Sequence, residues 1–163
     1  LHFGGAAGTL EKLGDCAPAV RERLAAALGL RAVPTARHSE RDGIVAFASW
    51  LSLVSGSLGK IGQDIALLAQ SEVGEVRLAS GGGSSAMPHK VNPVGAEVLV
   101  ALARFNATLV SGMHQSLVHE NERSGAAWTL EWMLLPQMAM ATGAALRTAQ
   151  DLLDGVSFPG AGG

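Results

Sequence analysis

Cysteine is almost absent from this sequence: Cys16 stands alone. A lone cysteine excludes an intrachain disulfide and fits a reducing compartment, hence a cytoplasmic location. Tyrosine is missing and aromatic residues make up only 4%. A core drawn from 48% hydrophobic residues is therefore mostly Ala, Leu and Val, a composition suited to helices packed closely through small side chains. Charge is sparse too. Twelve Lys and Arg against fourteen Asp and Glu give a net charge of −2, so no global basic field points to nucleic acid. HExxH and CxxC are absent, and His89, His114 and His119 lack close metal-ligand spacing, which argues against a metal site. The start, Leu1-His2-Phe3-Gly4-Gly5, has neither the basic residues nor the apolar run of a signal peptide. It also lacks an initiator Met, as expected of a chain that begins inside a longer protein. No charge falls between Gly43 and Gly59, yet four serines and three glycines lie there, and Lys60 and Asp64 follow. A spanning helix needs about twenty apolar residues, so a buried helix is expected rather than a membrane span.

The spacing of apolar residues predicts an all-α chain. Residues 1–36 hold a glycine-rich turn, Phe3-Gly-Gly-Ala-Ala-Gly-Thr9, and a short helix. The turn is either a tight packing turn or a backbone wall beside a ligand; it lacks the strand–GxGxxG–helix context of a dinucleotide site. Asp15 is the expected cap of the short helix, Pro18 lies in its first turn and Gly29 stops it. Three long bundle helices fill 37–155. The first opens in the charged run Arg37-His-Ser-Glu-Arg-Asp42 with Ser39 as N-cap. Its apolar face reads Ile44, Phe47, Leu51, Val54, Leu58, Ile61, Ile65 and Leu68. Gly56, Gly59 and Gly62 interrupt it, each costing about 1 kcal/mol against Ala. Close approach of another helix is the expected return. The second helix follows Pro93 and carries Val94, Val98, Leu102, Phe105, Leu109 and Met113. The third runs from near Ala126 to about Leu153 with Pro136 as a kink. Residues 156–163 read as a flexible tail, and no alternating strand pattern stands out. Helices this long, apolar round much of their girth, call for burial by further helices, so the bundle is expected to oligomerise.

Between the first two long helices lies a loop, 80–93, with the densest chemistry in the chain. Three glycines lie in it, followed by two serines, His89, Lys90 and Asn92, and Asn92-Pro93 is a good helix start. It lacks the GxxxxGK[ST] order of a P-loop. Spacing alone neither supports nor excludes a Ser-His-Asp triad. A polar loop feeding a helix N-terminus suits an anion. Hydroxyls, a fixed cation and an amide suit a carboxylate substrate whose charge grows as a proton leaves the adjacent carbon. Past the second helix, His119-Glu-Asn-Glu-Arg-Ser-Gly125 is a second polar cluster. His114 and His119 read as polar surface or interface residues. Arg123 either binds a carboxylate or caps the preceding helix.

Gly83-Ser-Ser-Ala-Met-Pro-His-Lys-Val-Asn-Pro93 resembles the GSSxMPxKxNP signature of the fumarase/aspartase superfamily at every fixed position. Gly4-Gly-Ala-Ala-Gly-Thr9 is similar to that family's GGAxGT segment. The resemblance implies a lyase or intramolecular lyase acting on a small polycarboxylate, without metal or organic cofactor. It implies a homotetramer whose long helices form a shared core, with active sites where three subunits meet. Ser84 takes the position of the base for the Cα proton, with Ser85 beside it. Met87, Lys90, Asn92 and Arg123 take substrate-binding positions. The family's two earlier motifs and its small C-terminal domain have no counterpart in these residues. The resemblance therefore implies the central bundle of a longer enzyme, inactive by itself.

Overall fold

A computed structural model describes residues 1–79, 81–83 and 91–160. A 3-10 turn, Glu11–Cys16, leads into α1, Ala17–Ala27. Pro18 sits in the first turn of α1, but Cys16 rather than Asp15 is its N-cap, and no side chain caps it. Gly29, at φ 64°, ends the helix as expected. Leu30 N–H donates to Ala25 C=O and Gly29 N–H to Ala26 C=O, the paired bonds of a Schellman stop.

Three long helices follow, and the all-α reading holds: α2 is Asp42–Leu68, α3 is Val94–Gln115 and α4 is Gly125–Asp154. At 1.5 Å per residue they are about 40, 33 and 45 Å long. They pack side by side, with α2 against α3 the most extensive pairing and α4 closing the third side. Among the described residues, four two-residue strands join them at one end. Arg77–Leu78 (β1) pairs antiparallel with Val156–Ser157 (β4), and Gly82–Gly83 (β2) with Val91–Asn92 (β3). These pairings are too short to leave a period-2 signature. They also tie down Val156 and Ser157, which the sequence places in a flexible tail.

Two helix starts differ from expectation. Ser39 does not cap α2, which begins three residues later, with Arg41 at the N-cap and no side-chain cap. Asn92 does not cap α3 either: it is held in the β2–β3 ladder, so Pro93 becomes the N-cap. The start of α4 is capped normally, since Ser124 Oγ accepts from Ala127 N–H.

Small residues explain how the helices meet. The buried stripe of α2 is Val45, Ala48, Leu51, Ser55, Gly59, Gly62 and Ile65. A Cβ at Gly62 would lie 2.5 Å from Ala96 C=O, and one at Gly59 would lie 2.5 Å from Ala103 Cβ. These two glycines let α3 come close, as their spacing suggests. Gly56 does not share that role, because nothing lies within 4 Å of a Cβ there. The seam is rotated from the large apolar face read in the sequence: Phe47 is 47% exposed, and Trp50, Leu53, Ile61 and Leu67 also face outward. Among the residues turned out on α3 and α4 are Val98, Phe105, Trp132, Met133, Met140 and Leu146.

Midway along the bundle, one buried polar node joins all three helices. Asn106 Nδ2 donates to Ser55 Oγ (2.6 Å), to Thr142 Oγ1 (2.9 Å) and to Met138 C=O (3.3 Å). Ser55 donates back to Leu51 C=O. Met113 and Met138 fill the core beside it with Val45, Ala48 and Leu51. By length and composition α2 and α3 could each cross a membrane. Their exposed faces nevertheless carry Lys60, Asp64, Glu97 and Arg104, charges that are costly in lipid.

The glycine seam makes an opposed pair of substitutions informative. Gly62→Ala should destabilise by about 1–3 kcal/mol through overpacking, whereas Gly56→Ala, in open space, should stabilise by about 1 kcal/mol. Urea unfolding followed by circular dichroism measures both; equal effects would remove the seam.

Candidate functional site

The signature loop is bracketed by the β2–β3 ladder. Gly82 pairs with Asn92 and Gly83 with Val91, which brings the two ends of the loop side by side. Gly81 has to be glycine here: a Cβ would sit 2.2 Å from Val91 Cγ1 and 2.9 Å from Asn92 C=O. Asn92 is half-buried at the mouth of this stem, one residue before the N-cap of α3. Ser84, Ser85, Met87 and Lys90 lie outside the described residues. Beside the stem, Gln70, Ser71, Arg77 and Val91 line a cleft of about 420 Å³. Its polar groups come from the turn after α2 and from β1, and no motif in the sequence singles them out.

Arg123 lies at the other end of α3. Its guanidinium stacks on the Trp128 ring, with Cζ 4.0 Å from the ring centroid, and Trp128 in turn packs against Trp132 at 4.5 Å. This is a cation–π contact with the first turn of α4 rather than a cap on α3. The neighbouring loop is tightly built. His119 Nδ1 accepts from Ser124 N–H at 3.0 Å, so a neutral ring carries its proton on Nε2. Asn121 adopts φ 52°. A hydrogen bond from Ser124 holds the exposed Glu120 carboxyl below its ordinary range.

At the same end, Arg41 grips Glu131 with two hydrogen bonds. Nε donates to Oε2 at 2.9 Å and Nη2 donates to Oε1. Both side chains are largely buried, at 16% and 6% exposed. The pair ties the start of α2 to the second turn of α4. Nothing in the sequence marks it, because its partners are ninety residues apart. The glycine-rich turn also reaches this end: Gly8, Thr9, Thr35, His38 and Glu122 line a cleft of about 350 Å³. Gly4 packs so closely there that a Cβ would lie 2.6 Å from Ala36 Cβ.

The candidate residues named by the sequence are thus split. Asn92 and the ends of the signature loop precede α3, whereas Arg123 lies beyond its far end, about 33 Å away by helix length. One copy of the chain does not bring Asn92 and Arg123 together. Among the described residues no group of three His, Cys, Asp or Glu side chains is placed to hold a metal ion.

A family model described as "Lyase" matches residues 1–106. The chain is 47% identical over 159 residues to 3-carboxy-cis,cis-muconate cycloisomerase of Pseudomonas aeruginosa, an alignment covering 96% of this chain and 35% of that protein. Among solved structures, the 3-carboxy-cis,cis-muconate lactonizing enzyme from Pseudomonas putida superposes with a TM-score of 0.87 at 45% identity, over 97% of this chain and 35% of that one. A fumarate lyase from Mesorhizobium sp. BNC1 superposes with a TM-score of 0.85 at 33% identity, covering 97% of this chain and 34% of that one. The chain spans about a third of the length of each.

The Arg41–Glu131 pair gives this end a direct test. Glu131→Gln leaves a buried guanidinium short of its charge partner and should cost about 3–5 kcal/mol. Replacing both residues with Leu should recover most of that loss. Thermal unfolding measures the set, and a full-cost double variant would contradict the assignment.

Proposed function

Because the chain belongs to the lyase family of the fumarase/aspartase superfamily, we propose that it is the central part of a cycloisomerase that lactonises 3-carboxy-cis,cis-muconate to 4-carboxymuconolactone, a step in protocatechuate breakdown. The observation that carries this reading is identity of 41–47% to four proteins of that name across nearly the whole chain. The alternative, elimination of fumarate from a succinyl adduct in the manner of an adenylosuccinate lyase, draws support from the fumarate lyase superposition at lower identity. A non-catalytic helical assembly is disfavoured by the complete signature loop.

In the cycloisomerase reaction a carboxylate oxygen forms the lactone C–O bond. The π electrons of the attacked double bond move to the carbon next to another carboxylate, and that carbon takes a proton. Substrate and product are isomers, so the reading calls for no metal or organic cofactor. Ser84 exchanges the proton at that carbon, with Ser85 beside it. Lys90 and Asn92 hold the carboxylate on which charge builds, and Met87 lines the site. In this direction Ser84 gives its proton to that carbon and is left as an alkoxide, which Lys90 and loop N–H groups stabilise until solvent restores the proton.

The split between Asn92 and Arg123 fits a site assembled from several subunits, in which Arg123 of one copy reaches a substrate carboxylate held by the loop of another. The outward Phe47, Trp50, Phe105 and Trp132 give such an assembly its apolar contacts. The enzyme is read as a cytoplasmic homotetramer, and the 163-residue chain alone as inactive.

Absorbance of the diene tests the reading in the full-length enzyme. The band of 3-carboxymuconate should decay, and Ser84→Ala should lower kcat by about two to four orders of magnitude with an unchanged unfolding midpoint. Turnover of adenylosuccinate alone, or near-normal turnover by Ser84→Ala, would overturn it.

A further inference from the structure

An arginine that binds a carboxylate works best with unspent N–H groups and a fixed position, and the start of α4 supplies both for Arg123. Its guanidinium sits over the Trp128 ring, with Cζ 4.0 Å from the centroid. The π-face attracts the cation without consuming its N–H groups, which stay free for a carboxylate. Among the described residues, the Arg123 side chain makes no hydrogen bond or ion pair, and none of its nitrogens is buried without a partner. Its donors therefore reach solvent. The acidic groups of this region do not use them. Glu131 is held by Arg41 through two hydrogen bonds, and Glu120 takes a hydrogen bond from Ser124. Glu122 is exposed and lines the cleft of Thr9 and Thr35.

The platform is itself held in place. Trp128 is half-buried and meets Trp132, one turn further along α4, at 4.5 Å between centroids and a tilt of 54°. Its backbone N–H donates to Ser124 C=O. Ser124, which separates Arg123 from the helix, is buried and bonded twice more. Its N–H donates to His119 Nδ1, and its Oγ accepts from Ala127 N–H. The backbone leaving Arg123 is thus anchored, and the freedom that remains lies in the long side chain. That freedom would be lost on binding a ligand, and a guanidinium already seated on a ring loses less of it.

We propose that Trp128 is a positioning residue for Arg123: its indole holds the guanidinium ready to take a carboxylate. Trp128 acts only through that guanidinium, and so sets affinity for the anion rather than the proton step. The proposal rests on the reading of Arg123 as a carboxylate ligand.

Calorimetric titration of the full-length enzyme with propane-1,2,3-tricarboxylate tests this without turnover. Trp128→Leu should weaken binding by about five- to thirtyfold, within the range a cation–π contact spans. Trp128→Phe keeps an aromatic face and should stay within about threefold of the wild type. In an Arg123→Ala background, Trp128→Leu should cost less than about twofold more, because the ring has nothing left to hold. In the diene assay, Trp128→Leu should raise KM and leave kcat within about twofold, the pattern of lost binding rather than lost chemistry. Wild-type affinity in Trp128→Leu would overturn the positioning role. So would an equal loss in the Arg123→Ala background, which is what general damage to the fold would give. Unchanged affinity with a smaller oligomer by light scattering would make the stack an interface element instead. Arg123→Ala separates the two claims. If it weakens binding while Trp128→Leu does not, the carboxylate reading of Arg123 stands and the positioning role falls. If Arg123→Ala binds the tricarboxylate as the wild type does, the reading of Arg123 falls and takes the positioning role with it.

Discussion

The close approach of α2 to α3 is the constraint from which the other features follow. At Gly59 and Gly62 the backbone of α2 meets α3 with no room for a Cβ. Contact at that range commits the inner face to small side chains: Ala48 and Ser55 on α2, Ala96 on α3, Ala145 and Ala149 on α4. Leu51, Leu99, Met113 and Met138 are buried beside them, while other large apolar residues turn outward: Trp50, Leu53, Phe105, Trp132 and Met140 all stand at about 40–70% exposed. Exposed apolar surface on that scale is unusual for a monomer. The same seam that makes the three-helix unit compact leaves it with faces suited to further helices.

The seam is apolar and repetitive, and repetitive seams can slip. The Asn106–Ser55–Thr142 node and the Arg41–Glu131 pair fix its register at two levels, one in the middle and one at the end carrying the glycine-rich turn. A buried polar node holds only one alignment of three helices without leaving donors unpaired. With register fixed, the two chemical ends of the bundle are held apart by the length of α3. The described stem of the signature loop lies at one end and the segments 34–42 and 119–131 at the other. Separation within one copy and exposed apolar faces are what the proposed sharing of sites among subunits requires.

The helices, the signature loop and the family are legible in the sequence because each rests on local pattern: three- and four-residue spacing, glycine and proline punctuation, and eleven contiguous residues of loop. The buried face of α2 is legible only in part: Leu51 and Ile65 are buried as the spacing predicts and Gly59 and Gly62 admit α3, but Phe47 and Ile61 face outward. Periodicity weights large apolar residues and so turns Phe47 and Ile61 inward, whereas a seam built on glycine buries what the pattern treats as interruption. Helix starts fail at Ser39 and Asn92, for the second of which tertiary pairing is the cause: Asn92 is claimed by Gly82 across the stem. Arg41–Glu131 involves partners remote in the chain and leaves no local signal. Of the candidate residues, only Asn92 and Arg123 have described surroundings; Arg123 rests on Trp128 in a single copy.

Subunit mixing tests the central claim, that loop and Arg123 act in one site only across copies. Full-length Ser84→Ala and Arg123→Ala enzymes, each nearly inactive, would be unfolded together, refolded and assayed by loss of the diene band. Mixed oligomers should regain a substantial fraction of wild-type activity, because some sites receive an intact loop from one subunit and an intact Arg123 from another. Activity no higher than that of either variant refolded alone would contradict the account.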